Sequence, residues 1–214
     1  MTLSDFLKTY GAASVSTADR RRFDALYASF QRMVKRIAKN HDVNCFGMEC
    51  DEIEAFPEYD QWVDGVGLPV LGSGLFRIVF DLGDGRVLKL EKGMGEHTID
   101  GDDDFWNWNG KPSASSLAEI QRWGRATSRQ RDHLVPLLGY DPKGRWVVMP
   151  KVVGLMDKAP DSLVDLDAWA KYDNTMRRKI PPVIRQVAEQ MGINPFEVRP
   201  INLDTSFRLL DYGT

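Results

Sequence analysis

Four groups of residues in this chain have side chains suited to handling a phosphate. Gly72 and Gly74 stand one residue apart in Leu71-Gly72-Ser73-Gly74-Leu75-Phe76-Arg77-Ile78-Val79. Both lack the Cβ that would hold a ligand off the backbone, so amide N–H groups there can approach a phosphate closely. Lys89, in Val87-Leu88-Lys89-Leu90, is a cation set in an otherwise apolar run. On a buried strand face it needs an anion, because an unpaired buried charge is costly. Glu119, in Ser116-Leu117-Ala118-Glu119-Ile120, can supply a carboxylate that orients that amine. Asn202 and Asp211 carry the oxygen donors that a hard divalent cation prefers. Taken singly, these residues have plainer readings: glycines at a strand end, an exposed strand lysine, a surface helix glutamate.

The elements that must position them are readable from periodicity. Residues 69–91 alternate apolar and polar side chains on both sides of Gly83-Asp84-Gly85, the pattern of a β-hairpin. Period-2 geometry puts Val87 and Lys89 on one face and Leu88 and Leu90 on the other. Ser115 or Ser116 is placed to cap a helix over about Leu117–Thr127, which carries Glu119. Two strands are expected at Val135–Tyr140 and Arg145–Met149, with Asp141-Pro142-Lys143-Gly144 as their turn. Residues 151–179 read as mixed and partly helical. Pro181-Pro182 opens a helix to about Met191, stopped by Gly192. Ile201–Leu203 and Phe207–Leu210 form a small hairpin around Asp204-Thr205-Ser206, which would bring Asn202 and Asp211 together. Upstream, Ser16-Thr17-Ala18-Asp19 offers caps for a helix to about Asn40. Its residues Phe23, Leu26, Tyr27, Phe30, Met33, Val34 and Ile37 make one apolar stripe, read as packing against the rest of the domain. Residues 93–111, with Asp100, Asp102, Asp103, Asp104, Trp106 and Trp108, read as a polar solvated loop without the ligand spacing of a calcium site.

In this order the pieces resemble the protein kinase signature set: a glycine-rich hairpin, a strand lysine, a helix glutamate, two further strands, a helix, an asparagine and Asp211-Tyr212-Gly213. The resemblance covers 69–213, about two-thirds of the chain. It extends to the small kinase-like proteins of bacteriophages. It implies an α+β fold: an antiparallel N-lobe sheet with one helix of the αC type, an N-terminal helical extension, and a minimal C-lobe ending at Asp211-Tyr212-Gly213. The corresponding divisions are residues 1–66, 67–152 and 153–214. Gly72 and Gly74 match the first two glycines of the kinase loop, and Arg77 replaces the third, which would stiffen the loop or change its pairing with phosphate. Lys89 matches the phosphate-holding lysine and Glu119 its helix partner. Leu71, Val79 and Val87 match positions that sandwich adenine, and Met149 falls near the back of that pocket. Glu197 stands where the catalytic aspartate would be, five residues before Asn202. Being one methylene longer, it would be displaced by about 1 Å, a misplacement that can cost ~100-fold in rate. Asn202 and Asp211 match the magnesium ligands. The implied cofactors are ATP and Mg2+.

Composition sets the outer bounds. The chain has 214 residues, 43% hydrophobic and 28% charged, which is ordinary for a globular protein. A formal charge of -3 excludes the broad basic field of a nucleic-acid binder. Cys45 and Cys50 are too few for a structural zinc site and read as free thiols. No signal peptide is legible, and no apolar run approaches the ~20 residues that span a bilayer. The expectation is a cytoplasmic protein. Two functions follow from the resemblance. One is a phosphotransferase acting on a protein hydroxyl. The other is a pseudokinase-like module that binds nucleotide and regulates a protein partner, favoured by the lack of an activation segment after Gly213.

Overall fold

The computed structural model describes residues 15–41, 53–74, 76–100, 103–108, 114–160, 166–194 and 198–211. Glu197, Tyr212, Gly213 and both cysteines lie outside these. The architecture is α+β. An open, five-stranded antiparallel sheet has the order β1-β2-β3-β7-β6, with β1 at Val70–Ser73, β2 at Arg77–Asp81, β3 at Arg86–Glu91, β6 at Gly139–Tyr140 and β7 at Trp146–Pro150. β2 and β3 form the hairpin expected from the Asp-Gly signal. Gly83 and Gly85 take φ of 79° and 80°, the left-handed region that disfavours a Cβ.

The sheet divides two cores. On one face lie Ile78 and Phe80 of β2, Leu88 and Leu90 of β3, and Trp146 and Val148 of β7, all buried. Against them packs α1 (Thr17–His41), through the stripe of Phe23, Tyr27, Phe30, Met33, Val34 and Ile37. Ser16 caps α1 by accepting the Asp19 N–H. A second helix, α2 (Pro57–Val66), lies against α1, and Trp62 on it contacts Phe30 and Phe80 edge-on. Trp146 stacks edge-on with Phe23 and donates its indole N–H to Asp24. These tryptophans pack with their polar tips satisfied, as buried indoles require.

The opposite face carries Val79, Val87, Lys89, Val147 and Met149, the other parity of the same strands. It belongs to a second core built with α3 (Ala114–Arg125), α5 (Leu166–Lys179) and α6 (Pro182–Gln190), while the one-turn α4 (Ser128–Arg131) buries none of its residues. Leu203 and Leu209 from the C-terminal segment complete it, both fully buried.

Several expectations change. Residues 94–100 and 103–108 are paired strands, β4 and β5, rather than loop. Asp103 and Asp104 of the acidic run lie in β5, where Asp103 pairs with Asp100 and Asp104 with Ile99. The strand-forming residues His97-Thr98-Ile99 and Phe105-Trp106 outweigh the local charge. The strand expected at 135–140 shrinks to β6, because Pro136 has no N–H to give a ladder. The Val135 N–H goes instead to the Leu209 carbonyl. α3 begins at Ala114, so neither Ser115 nor Ser116 is its cap. The C-terminal hairpin reduces to a 3-10 turn at Pro200–Asn202 and single bridges of Leu209 to Leu203 and to Leu134.

The turn between β6 and β7 is clamped by Asp141, whose carboxylate accepts the backbone N–H and both Nε and Nη2 of Arg145. Burial pushes the Asp141 carboxyl up, but the Arg145 hydrogen bonds and charge outweigh it and hold it below the usual range. A lowered folded value means that this contribution is present above the unfolded value near 4 and is lost as the pH falls through the folded one. Solvent at the outer edge of Arg145 screens the pair, so Asp141→Asn is expected to cost about 1 kcal/mol at neutral pH. Urea unfolding across pH should show the variant and the parent converging below about pH 4. Curves that stay parallel would mean Asp141 is not the titrating clamp.

Candidate functional site

The second face of the sheet does not pack completely. Between it and the chain that follows β7 lies a cleft of about 690 Å³. Its roof is Leu71, Gly72, Ser73 and Gly74 of β1 and the turn after it. Its inner wall is Val79, Val87, Lys89 and Met149, and its floor is Val152, Ile201, Asn202 and Leu210. Every residue expected to hold nucleotide therefore lines one cavity, together with Asn202. The reason is parity: Val79 pairs with Lys89 and Val87 with Met149 across adjacent strands, so all four project to one side. Another hollow, of about 550 Å³ between α1 and α2, contains none of these groups.

The glycines act through bare space rather than unusual backbone. Neither Gly72 nor Gly74 has a positive φ, and a Cβ at either would meet nothing within 4 Å. The Gly74 N–H is spent on the Arg77 carbonyl at 2.9 Å. The roof is tied down from behind by Glu54, which accepts the Ser73 hydroxyl at 2.5 Å and ion-pairs with the buried Lys92.

Behind the cleft wall is a charged network. Glu119 is fully buried, because Ser116, Glu119, Ile120 and Trp123 recur at helical spacing on the face of α3 turned to the sheet. Its Oε1 accepts Lys89 Nζ at 3.2 Å, and Lys89 also donates to the Leu210 carbonyl at 2.7 Å. Its Oε2 accepts Arg77 Nη1 at 2.5 Å. The other nitrogen of that guanidinium, Nη2, reaches Asp211 Oδ2, also at 2.5 Å. Ser116, the expected cap, instead donates its hydroxyl to the buried Glu91.

Arg77 thus has a different place from the one its position among the glycines suggested. It is not a loop residue facing phosphate. It sits in β2, 7% exposed, pointing inward at two carboxylates. Burial alone would lower its pKa; Asp211 and Glu119 outweigh that and raise it, so the group stays charged. The signal was present in the strand parity, since Arg77 shares the face of Val79 and pairs with Glu91.

The chain reverses between the two late residues, which brings the backbone next to Asp211 against that of Asn202. Asp204 organises the reversal: its Oδ1 accepts the N–H groups of Ser206 and Arg208, and its Oδ2 accepts Arg208 Nε. The chain then returns so that the Leu210 N–H meets the Asn202 carbonyl at 2.8 Å. Asn202 lines the cleft; Asp211, the residue after the lining Leu210, is not itself among the lining residues, and its partly exposed carboxylate is held by Arg77. The carboxylate expected to face magnesium is therefore already ion-paired with a guanidinium. Among the described residues, no group of three or more acidic, histidine or cysteine side chains gathers as metal ligands. In this arrangement the residues do not fit a resident magnesium ion, which needs available anionic oxygen in near-octahedral geometry.

Among the described residues no helix is long and apolar enough to cross a membrane. No protein-family model, curated protein or solved structure matches the chain.

Proposed function

We propose that this chain binds ATP in the cleft beneath Gly72 and Gly74, as a kinase-like nucleotide-binding domain. The observation that carries this reading is the convergence of Leu71, Val79, Val87 and Met149 with Lys89 on one cavity, and of Glu119 on Lys89 from behind. The apolar side chains form walls for a flat base, and the amine is a point charge for the phosphates. Glu119 fixes the amine's direction, so little side-chain entropy is lost when an anion arrives. Phosphoryl transfer to a protein hydroxyl would then be a matter of positioning and charge neutralisation, with Glu197 as the acceptor's base by resemblance. One observation favours the second reading, a pseudokinase-like module that binds nucleotide without turnover: the Asp211 carboxylate is engaged by Arg77.

The test is calorimetric titration of the intact chain with ATP and with adenosine. ATP is expected to bind at one site, and adenosine more weakly because it offers Lys89 no phosphate. An absence of heat and of thermal stabilisation at millimolar ATP would overturn the reading. Incubation with labelled ATP then separates the two forms: label on the chain or on an added protein supports transfer, and binding without label supports the module.

A further inference from the structure

We infer that Arg77 is a resident cation that takes over charge neutralisation at Asp211, so that ATP binding by this chain does not require a divalent metal. This rests on the nucleotide reading of the same cleft. Arg77 bridges Glu119 and Asp211 with one nitrogen on each, both at 2.5 Å. Two cations, Arg77 and Lys89, thus face two carboxylates. The surrounding shell adds one group of each sign: the charge of Glu91 acts on Arg77, and those of Asp211 and Glu119 act on Arg122, where burial outweighs them and lowers its pKa. The cluster is balanced before any ligand arrives.

Remove Arg77 from that count and the balance fails. Glu119 would then keep only Lys89 and Asp211 would lose its guanidinium, so a triphosphate arriving at Lys89 would meet net negative charge behind it. A dication would be needed to relieve it. With Arg77 in place the role is filled by a planar, permanently charged group that pairs with two carboxylates at once and cannot dissociate from the chain. A magnesium ion seeking Asp211 would have to break a partly desolvated ion pair, and truncating such pairs is strongly unfavourable.

The experiment measures ATP affinity of the intact chain in excess EDTA and in excess magnesium, for the parent and for Arg77→Gln. For the parent the two dissociation constants are expected to agree within about threefold. For Arg77→Gln, ATP should bind at least about tenfold tighter with magnesium than with EDTA. Magnesium alone should also raise the melting temperature of this variant and not of the parent. If Arg77→Gln does not fold, the parent's two affinities decide the matter alone. Parent binding that vanishes in EDTA and returns with magnesium overturns this inference while leaving the ATP site standing. No ATP binding in either condition overturns the ATP site, and the inference with it.

Discussion

Replacing Glu119 by glutamine is expected to lower the free energy of unfolding by about 3–5 kcal/mol, the range for truncating one partner of a buried ion pair. Glu119 is fully buried and holds two cations, Arg77 at 2.5 Å and Lys89 at 3.2 Å. Glutamine keeps the volume and one acceptor oxygen, so no cavity contributes. What changes is charge: Arg77, 7% exposed, is left with Asp211, and Lys89 with a backbone carbonyl. The two cations then repel each other across a poorly screened interior. Urea unfolding of the parent and variant measures the loss. A double variant, Glu119→Leu with Arg77→Leu, should cost less than the sum of the singles, since the Arg77–Glu119 pair is then lost only once and the remaining Lys89 and Asp211 are opposite in charge. A loss of under about 1 kcal/mol for Glu119→Gln is what an exposed pair would give, and would mean that water reaches the network.

Lys89→Met should behave in the opposite way, sparing the fold and removing the ligand. Glu119 keeps its shorter partner, Arg77, and methionine replaces the apolar stem of the lysine along the strand. Stability should therefore fall by only about 1–3 kcal/mol, for the bonds Lys89 gives to Glu119 and to the Leu210 carbonyl. ATP affinity should fall about 10- to 100-fold, as expected for losing a charge-assisted contact to phosphate. Adenosine affinity should be unchanged. This contrast separates loss of a phosphate contact from general damage to the cleft, which would weaken both ligands alike. Equal ATP affinity in a folded Lys89→Met protein would mean the amine does not touch the phosphates.

Both outcomes depend on the sheet serving two cores at once. Leu88 and Leu90 anchor β3 to α1, and this holds the alternate residues Val87 and Lys89 toward the cleft without their having to pack fully themselves. The helical stripe of α1 is consumed in that packing. Glu54, shortly before α2 in the chain, adds a direct tie to Ser73 in the cleft roof.

Much of this was legible because it depends on short-range periodicity. The parity of β3 alone separates Leu88 and Leu90 from Val87 and Lys89, and the helical spacing of α1 marks its buried stripe, Phe23 to Ile37. The return of the chain near Asp204 follows from turn-forming residues. Local signals failed where a distant partner decided the outcome. Val135 gave its N–H to Leu209 rather than to a sheet neighbour, and Ser116 left the cap position for Glu91. The largest such case is Arg77. By itself it reads as a substituted loop glycine. Only the folded chain sets it against Glu119, 42 residues away, and Asp211, 134 residues away. The physical reason is that a strand's alternation says which side a residue faces, whereas the identity of what it meets there is set by how the helix and the C-terminal segment dock, and in a low-dielectric interior a guanidinium must find whatever carboxylates that docking supplies.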